Sequence, residues 1–258
     1  MLSEDRTTLQ LARFSAIEEN LTARYGENSQ ARAFFLYEQL VTVRLALSDA
    51  ADGHTSGLLS RRREWLRQEI QAMYDRAPFP GEQSTPVLHP VDAPGVIEYD
   101  REAFERRYAE AAELIRPQVV SLEDWRPRIE LRPTGYMYVV DDTGRLLVWD
   151  RPFTMAQMLV GRDRVTVGRW TVGHPMLVPE RRRVLAAGEI VPVGSDDGTV
   201  RGVVANLKSG HFRPPPQAAH AVIAACHRQA GVRADDCDIF TIPPAARSSV
   251  PGSSSEVV

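Results

Sequence analysis

The N-terminal part of the chain carries apolar side chains at helical spacing, in three runs separated by turn residues. The first run ends at Gly26, the second at Asp52-Gly53, and the third before Pro78. Three antiparallel helices with short connections can bury one another's apolar faces. We therefore expect a helical module over residues 1–77.

A proline-rich segment follows, and then a fourth helix. Residues 78–98 combine several prolines with few periodic apolar positions, which indicates a linker or an irregular wrapping segment. Asp100 is a suitable N-cap for the fourth helix, and Pro117 is placed to end it.

Beyond Pro127 apolar residues recur at every second position instead of at helical spacing, which is typical of strands. Two strand pairs are joined by turn sequences and predict hairpins. Further short strands are expected, and a proline run opens a C-terminal helix. The predicted hairpins are 136–149 and 189–206, the other strands are 129–131, 165–170 and 239–242, and the helix runs from Pro214 to Gln229.

This order of elements predicts an α+β fold: an N-terminal helical bundle, then a mostly antiparallel sheet with a packed C-terminal helix. The α+β domain should span residues 99–244. The tail, residues 245–258, is rich in serine, proline and glycine, and we expect it to be disordered.

Composition narrows the class of protein. The 258 residues carry a formal charge of −3, so no global basic field attracts nucleic acid or an anionic membrane. Two cysteines indicate no disulfide framework. The N-terminus lacks a signal-peptide pattern, and no apolar run is long enough to span a membrane. We expect a soluble, cytoplasmic protein, with export by a route that reads no N-terminal signal left open.

The basic residues are almost all arginine. Lysine occurs once, at Lys208, so 30 of the 31 basic residues are arginine. A GC-rich coding genome, of the kind many bacteria have, is the simplest reading. Selection for bidentate anion contacts would leave the same pattern.

The most unusual stretch runs from a predicted strand into the C-terminal helix. It offers the hydroxyl of Ser209, the permissive backbone of Gly210, the imidazole of His211 and the cation of Arg213. One interpretation is an anion or carbonyl site with His211 as general acid or base. The other is a structural corner in which Ser209 caps a turn.

Two further residues are candidates for the same site. His174 precedes Pro175, which favours an extended backbone at the histidine. If its strand lies beside the strand that ends at Asn206, His174 and His211 share a cleft, and Glu189 can orient either imidazole. Motifs for zinc proteases, phosphate loops, dinucleotide binding and serine hydrolases do not occur. The sequence therefore predicts no metal site and identifies no cofactor.

Several segments between residues 130 and 242 resemble a known family: 167–174 ending in His174, Ala186-Ala187-Gly188-Glu189, and Ser209-Gly210-His211-Phe212 with Pro214. They are similar to the C-terminal domain of plant calmodulin-binding IQ-motif (IQM) proteins and of bacterial and fungal homologues. The resemblance implies that His174, Ser209, Gly210 and His211 occupy positions that match the family's motif. It does not imply calmodulin binding, because the chain has no IQ motif. Pro175 and Met176 also replace two serines that the family usually has.

Two functions of different class remain open. The first is an α+β domain that binds a small molecule or a protein, which the sequence does not identify. The second is an effector-type enzyme, a transferase or hydrolase, that uses His174 and His211 as acid and base. Close approach of His174, Glu189 and His211 favours the enzyme.

Overall fold

The structure is a computed structural model. It describes residues 2–50, 52–76, 88–89, 93, 95–126, 134–154, 166–194 and 198–243. The predicted strand at 129–131 and the predicted disordered tail at 245–258 lie outside these residues. So does most of the predicted linker.

The N-terminal helices form as the apolar spacing predicts. They are α1 (Leu2–Tyr25), α2 (Gln30–Asp49) and α3 (Gly53–Arg76). Ser29 caps α2, because its hydroxyl accepts the N–H of Arg32 at 3.3 Å. The fourth predicted helix is split at Tyr108 into α4 (Arg101–Arg107) and α5 (Ala109–Ile115).

Most strands belong to one mostly antiparallel sheet, as predicted. The strands of this sheet are β1 (Leu88–His89), β2 (Ile97–Tyr99), β3 (Val119–Ser121), β4 (Thr134–Asp141), β5 (Leu146–Trp149), β6 (Phe153–Thr154), β9 (Arg183–Gly194), β10 (Val200–Asn206) and β11 (Cys237–Phe240). Their order is β1-β2-β9-β4-β5-β3, with β10 on β9, the parallel strand β11 on β10, and β6 on β4. Part of the predicted linker thus forms strands at the edge of the sheet, because β2 pairs with β9.

The prediction that residues 165–170 form a strand of this sheet is wrong. A turn at Gly168, which has φ +57°, folds this segment into a two-stranded hairpin of its own, made of β7 (Thr166–Val167) and β8 (Trp170–Thr171). The prediction that this segment lies beside β10 fails for the same reason. A positive φ is open to glycine without steric penalty, so this residue makes the tight reversal feasible.

The sheet separates two hydrophobic layers. One face packs on the N-terminal helices, where Leu40 and Leu66 share a core with Val191 and Val204 of the sheet. The other face packs on α6 (Ala219–Ala230), which ends at Gly231 in the left-handed conformation, φ +65°. Because the helical core continues into the sheet core, the division into separate domains stays a prediction.

A buried ion-pair cluster joins the helices to β11. The carboxylate of Asp238 is fully buried and lies 2.7 Å from Arg44 of α2, 2.8 Å from Arg63 and 3.1 Å from Arg67 of α3. Arg62, next to Arg63, pairs with Glu18 of α1 at 3.0 Å. The arginine run 61–63 is therefore not a uniformly solvated helix face, because two of its members make ion pairs between elements.

In the part of the chain that the structure describes, no helix combines the length and the apolar character that crossing a bilayer requires.

Candidate functional site

A tight turn follows β10 and presents His211. Ser209 is fully buried; its hydroxyl accepts the N–H of Phe212 at 3.3 Å, and its carbonyl accepts the N–H of Arg213 at 2.8 Å. The ring of Phe212 is fully buried in the layer beneath the helices. Ser209 therefore caps a turn, as the structural interpretation expects, and the turn fixes the position of His211 between two anchors.

The two other residues of this turn differ from expectation. The left-handed conformation belongs to Arg213, with φ +46°, and Gly210 does not adopt it. Gly210 is exposed, and a methyl group added there would meet nothing within 4 Å. No close approach of a neighbour requires a glycine at this position.

His174 reaches the site through a short 3-10 helix, His174–Leu177, that begins after Gly173. Its Nε2 lies 3.1 Å from the carbonyl oxygen of Gly188. Since a carbonyl only accepts, Nε2 carries the proton and donates, which leaves Nδ1 as the basic nitrogen. The ring of His174 lies 6.0 Å from that of His211, centroid to centroid. The structure thus brings the two predicted histidines together.

His211 is held by aromatic residues. Its Nε2 makes a hydrogen bond of 2.7 Å with the hydroxyl of Tyr108, at the break between α4 and α5. The ring of Tyr99 packs edge-to-face against the His211 ring, with 6.1 Å between the two ring centroids. The other ring nitrogen, Nδ1, is buried and has no hydrogen-bond partner among the residues that the structure describes. Buried polar atoms of this kind are uncommon in folded proteins.

Burial keeps both imidazoles neutral at pH 7. It lowers the pKa of His174 to about 3, and repulsion from His211 adds to this effect. Burial also lowers the pKa of His211 to about 4, with a further contribution from the charge of Arg107. A neutral imidazole can accept a proton at one nitrogen and donate at the other.

Glu189 lies on β9, directly after Gly188. Its backbone N–H donates to the Oδ1 atom of Asn206 at 3.1 Å. Its Oε2 atom is buried and makes no hydrogen bond within the described ranges. Burial raises the pKa of this carboxyl, and the nearby ammonium of Lys208 opposes part of the rise. Glu189 therefore belongs to the site through its place on β9, because His174 binds the carbonyl oxygen of the preceding residue of this strand.

Asn206 ties the site to the helical bundle. Its Nδ2 donates to the hydroxyl of Tyr74 at 3.0 Å, and that hydroxyl also bonds to the hydroxyl of Tyr37. Its carbonyl accepts the hydroxyl of Tyr138 at 3.0 Å. Gly188 makes this close arrangement feasible, because a methyl group there would lie 1.9 Å from the Asn206 carbonyl oxygen.

Sequence reasoning missed three members of the site. Tyr108 fits the apolar face of the fourth predicted helix, so periodicity gave it a packing role, and Tyr74 at the end of the third helix was given no role. Asn206 stood at the end of a predicted strand without an assigned role. No proline or glycine marks the helix break at Tyr108. The one signal in the sequence was a tyrosine on an apolar helix face, because a tyrosine hydroxyl that becomes buried usually finds a hydrogen-bond partner.

Tyr74 also lines a cavity of about 330 Å³ between the start of α2 and the end of α3. Ser29, Ala33, Met73 and Arg76 form other parts of its wall. The tyrosine thus faces open space and binds Asn206 of the site. The helical bundle therefore contributes directly to the surroundings of Glu189.

Gly173 leaves room for the His211 ring. A methyl group at this position would lie 2.9 Å from Cε1 and 3.0 Å from Nε2 of His211. We expect Gly173→Ala to displace the imidazole and to break its hydrogen bond with Tyr108. The C–H resonances of His211 in a proton NMR spectrum should shift, whereas those of the exposed His220 should not. Unchanged His211 resonances would contradict this packing.

No group of three or more potential metal-ligating side chains occurs among the described residues. No family model, curated protein or solved structure matches the chain.

Proposed function

We propose that the protein binds a small polar molecule at the cluster of His174, Glu189 and His211. The observation that carries this proposal is the pair of buried polar atoms without a partner in the described structure, Nδ1 of His211 and Oε2 of Glu189. A buried donor or acceptor left unsatisfied costs about 1–3 kcal/mol, and a bound ligand can recover that free energy.

The neutral state of the histidines favours a ligand with hydroxyl, amide or carbonyl groups. Two adjacent cationic imidazoles would repel one another and would favour an anion. With pKa values of about 3 and about 4, both rings instead offer uncharged donors and acceptors at pH 7. The ligand class is therefore polar, and the histidines do not require it to be charged.

An enzyme is the second candidate, and a specific contact favours it. The 2.7 Å hydrogen bond between Tyr108 and His211 aligns a hydroxyl with an imidazole whose second nitrogen is unoccupied by any described residue. Such a pair can pass a proton between the tyrosine and a molecule bound at Nδ1. An acid–base transferase or hydrolase would use His211 as the proton carrier and His174 as its neighbour.

The resemblance to the plant IQ-motif family and its bacterial homologues adds a further proposal. It extends the role of the corner formed by Ser209, Gly210 and His211 to those proteins. A cytoplasmic location is likewise a proposal, and it fits the near-neutral pH at which both imidazoles are uncharged.

A thermal-shift screen tests the binding proposal. We would screen uncharged and charged metabolites against the wild-type chain, His211→Ala and His220→Ala. His220 is the matched control, because it is an exposed histidine on α6. We expect some compounds to raise the melting temperature of the wild type and of His220→Ala but not of His211→Ala.

The opposite pattern rejects the proposal. Compounds that stabilise all three proteins equally would bind elsewhere, and a screen in which no compound depends on His211 would leave the cluster without a ligand. Circular dichroism of His211→Ala at the screening temperature checks that the variant is folded before the comparison is made.

A further inference from the structure

The cavity between the start of α2 and the end of α3 has the size of a small-molecule pocket. Its volume is about 330 Å³, and such pockets occupy about 300–1,000 Å³. The described part of its wall comes from two short stretches of the helical bundle, within residues 28–33 and 73–76. Neither stretch belongs to the sheet, so this cavity is separate from the turn that presents His211.

The inner wall of this cavity is apolar. Ala33 is buried, and Met73 and Tyr74 are half-buried. The hydroxyl of Tyr74 is already bonded to Asn206 and to Tyr37, so the tyrosine offers the cavity its ring rather than a polar group. The part of a ligand that fills this end must therefore be apolar, because a polar group would leave water without gaining a hydrogen bond.

The outer wall of the cavity carries positive charge. Arg76 is exposed in the last turn of α3, and it is the one charged side chain in the described part of the wall. The start of α2 adds partial positive charge, and the first turn of this helix has no acidic side chain. Glu27 and Asp75 adjoin the two stretches but do not line the cavity, and Asp75 accepts a hydrogen bond from Gln71 at 2.9 Å. The mouth of the cavity therefore favours an anionic group.

We propose that this cavity binds a small monocarboxylate that has an apolar ring or a short apolar chain. The planar guanidinium of Arg76 matches the two oxygens of a carboxylate. One cation in the described wall balances one negative charge, which favours a monoanion over a dicarboxylate or a phosphate monoester. The inference goes beyond the proposed function, because it concerns a different cavity and a charged ligand, which the histidine cluster does not require.

Methionine methyl groups can report on this cavity and on the histidine cluster separately. The chain has six methionines, and Met73 is the one in the described part of the cavity wall. Met137 pairs with Glu189 across β4 and β9, and it therefore reports on the cluster. Met176 does so too, because it lies two residues after His174. NMR spectra of the full-length protein with isotope-labelled methionine methyl groups distinguish these signals, and Met73→Leu identifies that of Met73.

Titration with benzoate, hexanoate and their uncharged amides, benzamide and hexanamide, tests the proposal. We expect at least one carboxylate to shift the Met73 methyl signal saturably, and the matching amide to bind about fivefold more weakly. Arg76→Gln should weaken carboxylate binding by about the same factor and should leave amide binding unchanged. Arg61→Gln is the matched control, because Arg61 is an exposed arginine of the same helix and does not line the cavity.

Equal affinity for carboxylates and amides overturns the proposal, as does carboxylate binding that is unchanged in Arg76→Gln. A titration in which no compound shifts the Met73 signal at millimolar concentration also overturns it. A carboxylate that shifts Met137 or Met176 but not Met73 binds at the histidine cluster, which supports the proposed function and rejects this inference. Met73 shifts that weaken in Arg76→Gln and persist in His211→Ala support the cavity, whether or not the cluster has a ligand of its own.

Discussion

Replacing Asp238 with asparagine should lower the free energy of unfolding by about 3 kcal/mol or more. Asparagine keeps the shape of the side chain but removes a fully buried negative charge that three arginines share. Arg44 is the most affected, because only 4% of its side chain is exposed. It retains Asp236 at 3.1 Å, but that carboxylate is 36% exposed and compensates less.

Urea denaturation of the wild type and Asp238→Asn measures this loss. Asp235→Asn is the matched control, because this neighbouring carboxylate is 84% exposed and its ion pair with Arg233 is at the surface. Exposed pairs contribute about 0–1 kcal/mol, so the control should stay close to the wild type. An equal, small loss in both variants would show that the buried cluster does not hold the helices on β11.

The two histidines should make the protein less stable as pH falls from about 6.5 towards 4. In the folded state their pKa values are lowered to about 3 and about 4, whereas in the unfolded chain they return to about 6.5. Between these values the unfolded chain binds protons that the folded protein does not. The contribution of the two histidines to the free energy of unfolding is therefore fully present above about pH 6.5. It is lost on acidification, by up to about 1.4 kcal/mol per pH unit for each histidine.

The contribution of Glu189 to stability has the opposite pH dependence, and the experiment must separate it from the contribution of the histidines. Its pKa is raised in the folded state, so its contribution to stability is present at low pH and is lost as pH rises through the folded value. We would compare the slope of unfolding free energy against pH for the wild type and for the double variant His174→Asn, His211→Asn. The difference isolates the histidines, since all other groups are common to both proteins.

If the wild type and the double variant showed the same slope of unfolding free energy against pH, the two imidazoles would not be neutral and buried. Proton NMR titration of the wild type gives an independent answer that requires no substitution. The C–H resonances of His174 and His211 should remain unchanged down to about pH 5, because both imidazoles have pKa values lowered to about 3 and about 4.

Local sequence patterns predict most of the helices and the long strands of this fold. Helical spacing and turn residues predict α1 to α3, because an amphipathic helix needs an apolar face at every third or fourth position. The hairpin of β4 and β5 follows from alternation on both sides of Asp141 to Gly144. The end of α6 at Gly231 follows from the ease with which glycine adopts a left-handed conformation. These are local properties, so each is readable within a short window of the chain.

Contacts between distant parts of the chain bring the residues of the site together. His174 and His211 were both candidates in the sequence, but the expected neighbouring strands do not bring them together. A 3-10 helix outside the sheet carries His174, and a capped turn carries His211. Strand order and the course of such short segments depend on contacts between residues far apart in sequence, which no local pattern encodes.

The same reason explains the polar residues that periodicity did not reveal. Tyr74 binds Asn206 across 132 positions, and Arg63 binds Asp238 across 175. A tyrosine or an arginine at a helical position looks the same whether its polar end meets water or a buried partner. Burial decides which interaction forms, because removing a polar group from water is unfavourable unless another group satisfies it, and burial is a property of the folded chain alone.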